Sequence, residues 1–147
     1  MHYREITTID IPALRSLMDQ LGYPLDENTM RENVEKYLEL PYQKAWVAEV
    51  SGQVVGCLAL AITHYFHRPA SFSRVIALVV DQNYLRNGIG KGLLELAEKY
   101  SIQNGCSHIE LTSGMHREKI GSHDFYISLG YSEMNNLKKY FVKKLVQ

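Results

Sequence analysis

From Leu78 to Lys91 the chain reads Leu-Val-Val-Asp, then Gln-Asn-Tyr-Leu-Arg-Asn, then Gly-Ile-Gly-Lys. A β-branched apolar run ends in a polar turn, and a Gly-x-Gly pair opens a strongly helical segment. Few folds accept that order. The strand must be covered, the turn must be tight, and the helix must start with backbone N–H groups that have no partner within it. Such a helix start is suited to an anion, phosphate above all. On the glycines alone, a glycine-rich helix start with no ligand is an equal alternative.

Composition narrows the classes. With 147 residues the chain suits one domain, taken as 1–147, with a sizeable core. Apolar residues make up 46% and charged residues 22%, a globular rather than a disordered balance. Lys plus Arg and Asp plus Glu are 16 each, which argues against nucleic acid or an anionic membrane surface as partner. No apolar run approaches the roughly 20 residues that span a bilayer. The opening Met1-His2-Tyr3-Arg4-Glu5-Ile6 has no signal-peptide core. Cys57 and Cys106 lack metal-site spacing and read as reduced core residues, so a cytoplasmic protein is expected.

Periodicity predicts the element order β-α-α-β-β-β-α-β-α-β-β, a mixed sheet with helices on both faces. Residues 2–7 alternate as a short strand. Asp10 opens a helix to about Leu21, with Pro12 in its first turn. Asp26 or Asn28 caps a second helix ending before Pro41. Strands follow at Trp46–Val50, Val54–Thr63 and Phe72–Val80, the first two joined by a tight turn at Ser51-Gly52-Gln53. A helix runs from Ile89 to a stop at Gly105, a strand from His108 to Thr112, and a helix from Arg117 to Leu129. Two short strands, near Tyr131 and over Tyr140–Leu145, complete the sheet.

Two phosphate motifs fail on spacing. A P-loop needs a glycine five positions before Gly90, where Leu85 stands, and Ser or Thr after Lys91, where Gly92 stands. A dinucleotide fingerprint needs its third glycine where Leu93 stands, and it should follow the first strand of a βαβ unit rather than a hairpin.

A third pattern does match. Val80-Asp81 followed by Leu85-Arg86-Asn87-Gly88-Ile89-Gly90 resembles the strand-turn-helix signature of the GNAT superfamily, the Gcn5-related N-acetyltransferases. Leu85 replaces the usual Arg or Gln at the first signature position. His123-Asp124-Phe125-Tyr126-Ile127-Ser128-Leu129-Gly130-Tyr131 is similar to the family's H-x-F-Y-x-x-L-G-[FY] segment. Ile109-Glu110-Leu111-Thr112-Ser113-Gly114 resembles the strand before it, and Val54-Val55-Gly56 the hairpin strand. The resemblance covers essentially the whole chain.

It implies an α/β (α+β) GNAT fold with a central sheet of six to seven strands. It also implies acetyl transfer from acetyl-CoA to a primary amine of a small molecule or peptide, in a ternary complex and without a metal. The backbone of Leu78, Val79 and Val80 would pair with the pantetheine arm. The amides of Arg86, Asn87, Gly88, Ile89, Gly90 and Lys91 would cradle the pyrophosphate, helped by the helix dipole. A backbone N–H near Leu78 or Val79 would face the oxyanion. Tyr126 matches the family's general acid, and a phenol suits a thiolate leaving group of similar basicity. The position where many members place a general base holds Thr112. Glu110, two residues earlier on the same strand face, is the ionisable candidate, beside a water chain or an acceptor that enters neutral. Lys119 stands where members often carry an Asn that contacts CoA. Tyr23 and Tyr65 are candidates for acceptor contact. A homodimer is compatible with the family, and an acyl-CoA-binding module without turnover is the alternative function.

Overall fold

The computed structural model describes residues 1–113, 121–134 and 137–145. The chain divides into two compact units, Met1–Leu111 and Thr112–Gln147.

The first unit holds one mixed sheet of five strands: β1 (His2–Glu5), β2 (Gln43–Val50), β3 (Gln53–His64), β4 (Ser71–Val80) and β5 (Cys106–Glu110). They lie in sequence order across the sheet. Neighbours pair antiparallel except β4 and β5, which are parallel and are joined by α3 (Ile89–Gln103). Ser51 and Gly52 both take positive φ, 51° and 77°, the geometry that suits a two-residue hairpin turn. That turn sets the β2–β3 register, with Val50 opposite Gln53.

α1 (Ile11–Leu21) and α2 (Glu27–Glu39) cover one face. Ile11, Leu14 and Leu17 recur at helical spacing and bury against Val47, Cys57 and Val79. Gly22, at φ 100°, closes α1, its N–H reaching the Met18 and Asp19 carbonyls. Asp26 caps α2 by accepting from the Thr29 N–H at 2.7 Å. A short 3₁₀ turn, Thr8–Asp10, precedes α1. Asp10, 3% exposed, accepts both terminal nitrogens of Arg4 at 2.8 Å, and Arg4 also donates to Glu49. This network ties β1 and β2 to the start of α1.

α3 covers the other face with Ile89, Leu93, Leu94 and Ala97 buried. A Cβ built on Gly56 of β3 would lie 2.9 Å from Ile89 Cγ2 and 3.2 Å from Leu93 Cδ1. The missing side chain therefore lets the first turn of α3 settle onto the sheet. Gly92 does the same for β1, since a Cβ there would overlap the Tyr3 hydroxyl. Cys57 is wholly buried, and burial pushes its thiol up to about 12, so it is an inert core residue.

In the second unit, α4 spans Ser122–Ser128, entered through Gly121 at φ 84°. The earlier part of the predicted helix, from Arg117 to residue 120, lies outside the described residues, as does Lys119.

Two expectations are corrected. The described sheet has five strands rather than six to seven, and neither 131–134 nor 137–145 forms a strand. Tyr140, Phe141, Val142 and Leu145 are 72–87% exposed. A strand needs a paired neighbour and an apolar surface to lie on. Within this unit α4 has no fully buried residue.

Candidate functional site

β4 places the first group of candidates. Its partnership with β5 runs from Ser71 opposite Cys106 to Arg74 opposite Glu110. Beyond Arg74, β4 has no strand on that side among the described residues. Its register with β3 shifts between Leu60–Val75 and Ala59–Ala77, leaving Ile76 as an extra, bulged residue. The sequence carries no signal for this bulge beyond its place in a long apolar run.

Strand alternation then decides which backbone groups face outward. The Asp81 N–H donates to the Val55 carbonyl at 2.8 Å, so Asp81 faces β3. In an antiparallel ladder Val79 and Ala77 share that direction, whereas Val80 and Leu78 present N–H and C=O to the open edge. Of the three backbone candidates, Leu78 and Val80 therefore face the open side. Val79 is paired with Cys57, and its side chain is buried among the residues under α1.

The turn after β4 is built by side-chain bonds. Asp81 Oδ1 accepts the Asn83 N–H at 2.9 Å and starts a 3₁₀ turn, Gln82–Tyr84. Asn87 donates its side-chain amide to the Tyr84 carbonyl at 3.2 Å. Arg86, at φ 65°, takes the left-handed region without being glycine, and so does Gly88 at 79°. The first intrahelical bond of α3 runs from Gly92 N–H to Gly88 O at 2.9 Å. The N–H groups of Ile89, Gly90 and Lys91 precede it and have no acceptor inside the helix. A Cβ on Gly88 would meet nothing within 4 Å, so the space over the turn is open. Lys91 approaches Glu95 at 4.0 Å, and Leu85, at the departed signature position, is exposed.

The open edge of β4 and this helix start are consecutive in the chain and lie in one unit. Together they suit a ligand with an amide-bearing arm and a pyrophosphate. Outward edge carbonyls and N–H groups can pair with amides, and free N–H groups at a helix start can hold an anion.

The remaining candidates are distributed as follows. Glu110, at the end of β5, is in an ion pair with Arg74 at 2.6 Å and lies 3.3 Å from His108 Nε2. Tyr23 is 69% exposed and follows the Gly22 stop of α1. Tyr65 sits at the β3–β4 hairpin, its N–H bonded to the Ala70 carbonyl. There it packs with Phe72, His67 and His108, and the Arg68 guanidinium lies 4.1 Å above its ring. At about 3.3 Å per strand residue, the hairpin is roughly 20 Å along β4 from Leu78. Tyr126 lies on α4 of the second unit, its ring 5.3 Å from Phe125 and 6.1 Å from Tyr131. Among the described residues no group of three or more His, Cys, Asp or Glu is placed to hold a metal ion. No helix among them is long and apolar enough to cross a membrane.

Comparison with known proteins gives concordant results. The model of the acetyltransferase (GNAT) family matches residues 11–131. An uncharacterised N-acetyltransferase of Chlorobaculum tepidum is 28% identical over 84% of this chain and 70% of its own length. The N-acetylaspartate synthetase of Xenopus tropicalis is 30% identical over 77% of this chain, a match that spans 40% of the synthetase. An aminoglycoside N-acetyltransferase solved in complex with CoA shares the fold, with a TM-score of 0.81 at 17% identity over 99% of this chain and 95% of that one.

Proposed function

This chain belongs to the GNAT acetyltransferase family, and on that premise we propose that it moves the acetyl group of acetyl-CoA to a primary amine of a small molecule or peptide. The observation that carries the reading is the edge of β4 beyond Arg74, which has no strand partner among the described residues and leads directly into the α3 start. Leu78 and Val80 offer outward backbone groups to the pantetheine arm. The N–H groups from Arg86 to Lys91 hold the pyrophosphate, Gly88 and Gly90 allow its close approach, and the Arg86 and Lys91 side chains add charge-assisted contacts.

In the proposed reaction the amine nitrogen attacks the thioester carbonyl within a ternary complex. The new C–N bond forms and the C–S bond breaks. The Leu78 N–H, facing the open edge, donates to the carbonyl oxygen as it gains charge. Tyr126 gives its phenolic proton to the departing thiolate and recovers one from solvent. The ammonium proton of the acceptor leaves by water or through Glu110. The Glu110 carboxylate is already engaged by the Arg74 guanidinium at 2.6 Å, which favours the water route or an acceptor arriving neutral.

The relatives support small amine acceptors, since one is named for aspartate acetylation and a structural neighbour for aminoglycosides. Tyr23, beyond the α1 stop, is proposed to touch the acceptor. Tyr65, a strand length away, would meet only the far end of an extended one. The whole chain is taken as one acetyltransferase domain working in the cytoplasm.

The Arg74–Glu110 ion pair favours one alternative, an acyl-CoA-binding module with little turnover. The test is acetyl-CoA incubated with a panel of aminoglycosides, polyamines, amino acids and peptide N-termini, reading thiol release and product mass. Amine-dependent thiol release supports the transferase. CoA binding by calorimetry with no acetylation across the panel supports the module. Absence of both removes the reading.

A further inference from the structure

The turn that follows β4 is exposed and contains a non-glycine residue, Arg86, in the left-handed region. Such a residue costs about 1 kcal/mol and persists where neighbours over-determine it. Bonds from Asn83 to Asp81 and from Asn87 to Tyr84 fold the turn on itself. Two more bonds reach outward to the last turn of α1. Gln20 Oε1 accepts the Gln82 N–H at 2.9 Å, and Gln20 Nε2 donates to Asp81 Oδ2 at 3.4 Å. Gln82 opens a 3₁₀ turn, so its N–H has no acceptor within that turn. Asp81 already spends Oδ1 on Asn83 and turns its other oxygen to Gln20. A primary amide, with donor and acceptor on one carbon, serves both groups at once.

We infer that Gln20 is a positioning residue that holds the turn between β4 and α3 in place for CoA. The inference rests on the acetyl-CoA reading above and goes beyond it. From Gln20, in the last turn of α1, the chain passes the Gly22 stop and reaches Tyr23, the proposed acceptor contact. Gln20 therefore links the segment that leads to the acceptor with the turn that holds the donor, across 62 positions of sequence.

The pair can be reversed. Gln20→Glu keeps an acceptor for the Gln82 N–H but sets a carboxylate against Asp81. Adding Asp81→Asn supplies an amide that donates to this carboxylate while its oxygen still accepts from Asn83. The number of bonds is restored with donor and acceptor exchanged.

The test is calorimetric titration of CoA into wild type, Gln20→Leu, Gln20→Glu and Gln20→Glu/Asp81→Asn, with urea midpoints measured on each. Loss of both bonds in Gln20→Leu is expected to weaken CoA roughly tenfold, with little change in midpoint because the contacts are exposed. Gln20→Glu is expected to bind at least as weakly, and the double variant to return to within about threefold of wild type. Gln20→Leu binding within about twofold of wild type overturns the inference, and so does a double variant as weak as Gln20→Glu. Wild type that binds no CoA removes the donor reading and this inference with it. Normal wild-type binding with indifferent variants removes the inference alone.

Discussion

Gly56→Ala tests how the proposed phosphate turn is seated. The added Cβ would stand 2.9 Å from Ile89 Cγ2, 3.2 Å from Leu93 Cδ1 and 3.5 Å from the Val79 carbonyl. Carbon atoms prefer about 3.5–4.0 Å, so Ile89 must retreat by roughly 0.6–1 Å. Leu93 can yield by rotating the end of its side chain. Ile89 cannot, because its γ-methyl is fixed by the single rotamer a β-branched residue favours in a helix. Ile89 is the first residue of α3 and is 1% exposed, so its displacement moves the backbone whose amides are proposed to hold the phosphate. Overpacking costs about 1–3 kcal/mol, and the smaller entropy of unfolded alanine returns about 0.4–1. Central values leave a net loss of about 1 kcal/mol, which lowers Tm by roughly 2–5 °C in a chain of this size. CoA affinity, read by calorimetry, should fall as well. Ile89→Ala alone costs about 2–5 kcal/mol, but added to Gly56→Ala it should cost less than the sum, by more than about 0.5 kcal/mol. A Gly56→Ala protein as stable as wild type, with equal CoA affinity, would refute the seating argument.

Tyr126→Phe should lower kcat by about 10²-fold or more and leave the KM for acetyl-CoA unchanged; undiminished thiol release would remove Tyr126 as the acid. Gly92→Ala should destabilise by about 1–3 kcal/mol in urea unfolding, because the Tyr3 ring must leave its seat. Combining it with Tyr3→Ala should add almost nothing to the loss from Tyr3→Ala alone, and strict additivity would contradict the packing. Burial pushes the Asp10 carboxyl up, but hydrogen bonds from Arg4 and Thr7 outweigh it and hold the group below its usual 3.8. The charged form is thus the one the fold favours, so its contribution is complete above about pH 4 and is lost as pH falls through the lowered value. Asp10→Asn should cost about 1–2 kcal/mol at pH 7, measured against wild type in urea, and the gap should narrow below about pH 4. A gap that stays constant to pH 3 would assign the loss to packing instead.

The glycine run shows where sequence reading reaches and where it stops. Gly88 and Gly90 are local devices. The first takes φ 79° at the helix entry, and both sit among amides with no helical acceptor, so their role is written in neighbouring residues. Gly92 breaks the dinucleotide spacing by one position, and nothing near it in sequence says why. The reason is Tyr3, 89 positions earlier on β1, whose hydroxyl occupies the space a Cβ would need. Gly56 answers to Ile89 and Leu93 in the same long-range way. The Ile76 bulge, set by register across the β3–β4 hairpin, and the end of β5 pairing at Glu110, set between strands joined by the α3 crossover, are likewise products of strand register. Periodicity located those strands, β3 and β4 through their buried side chains, although β5 has none fully buried. It could not locate the point at which two of them part, because that depends on hydrogen bonds made by backbone rather than by any side chain. The same limit covers the last predicted strands. Tyr140, Phe141 and Val142 have the composition of a strand, but a strand exists only through its partner. The proposed site at the edge of β4 is therefore defined by pairing that stops among the described residues. Variants that leave side-chain chemistry intact but alter that register, such as deletion of Ile76, should abolish CoA binding while α3 keeps its helix.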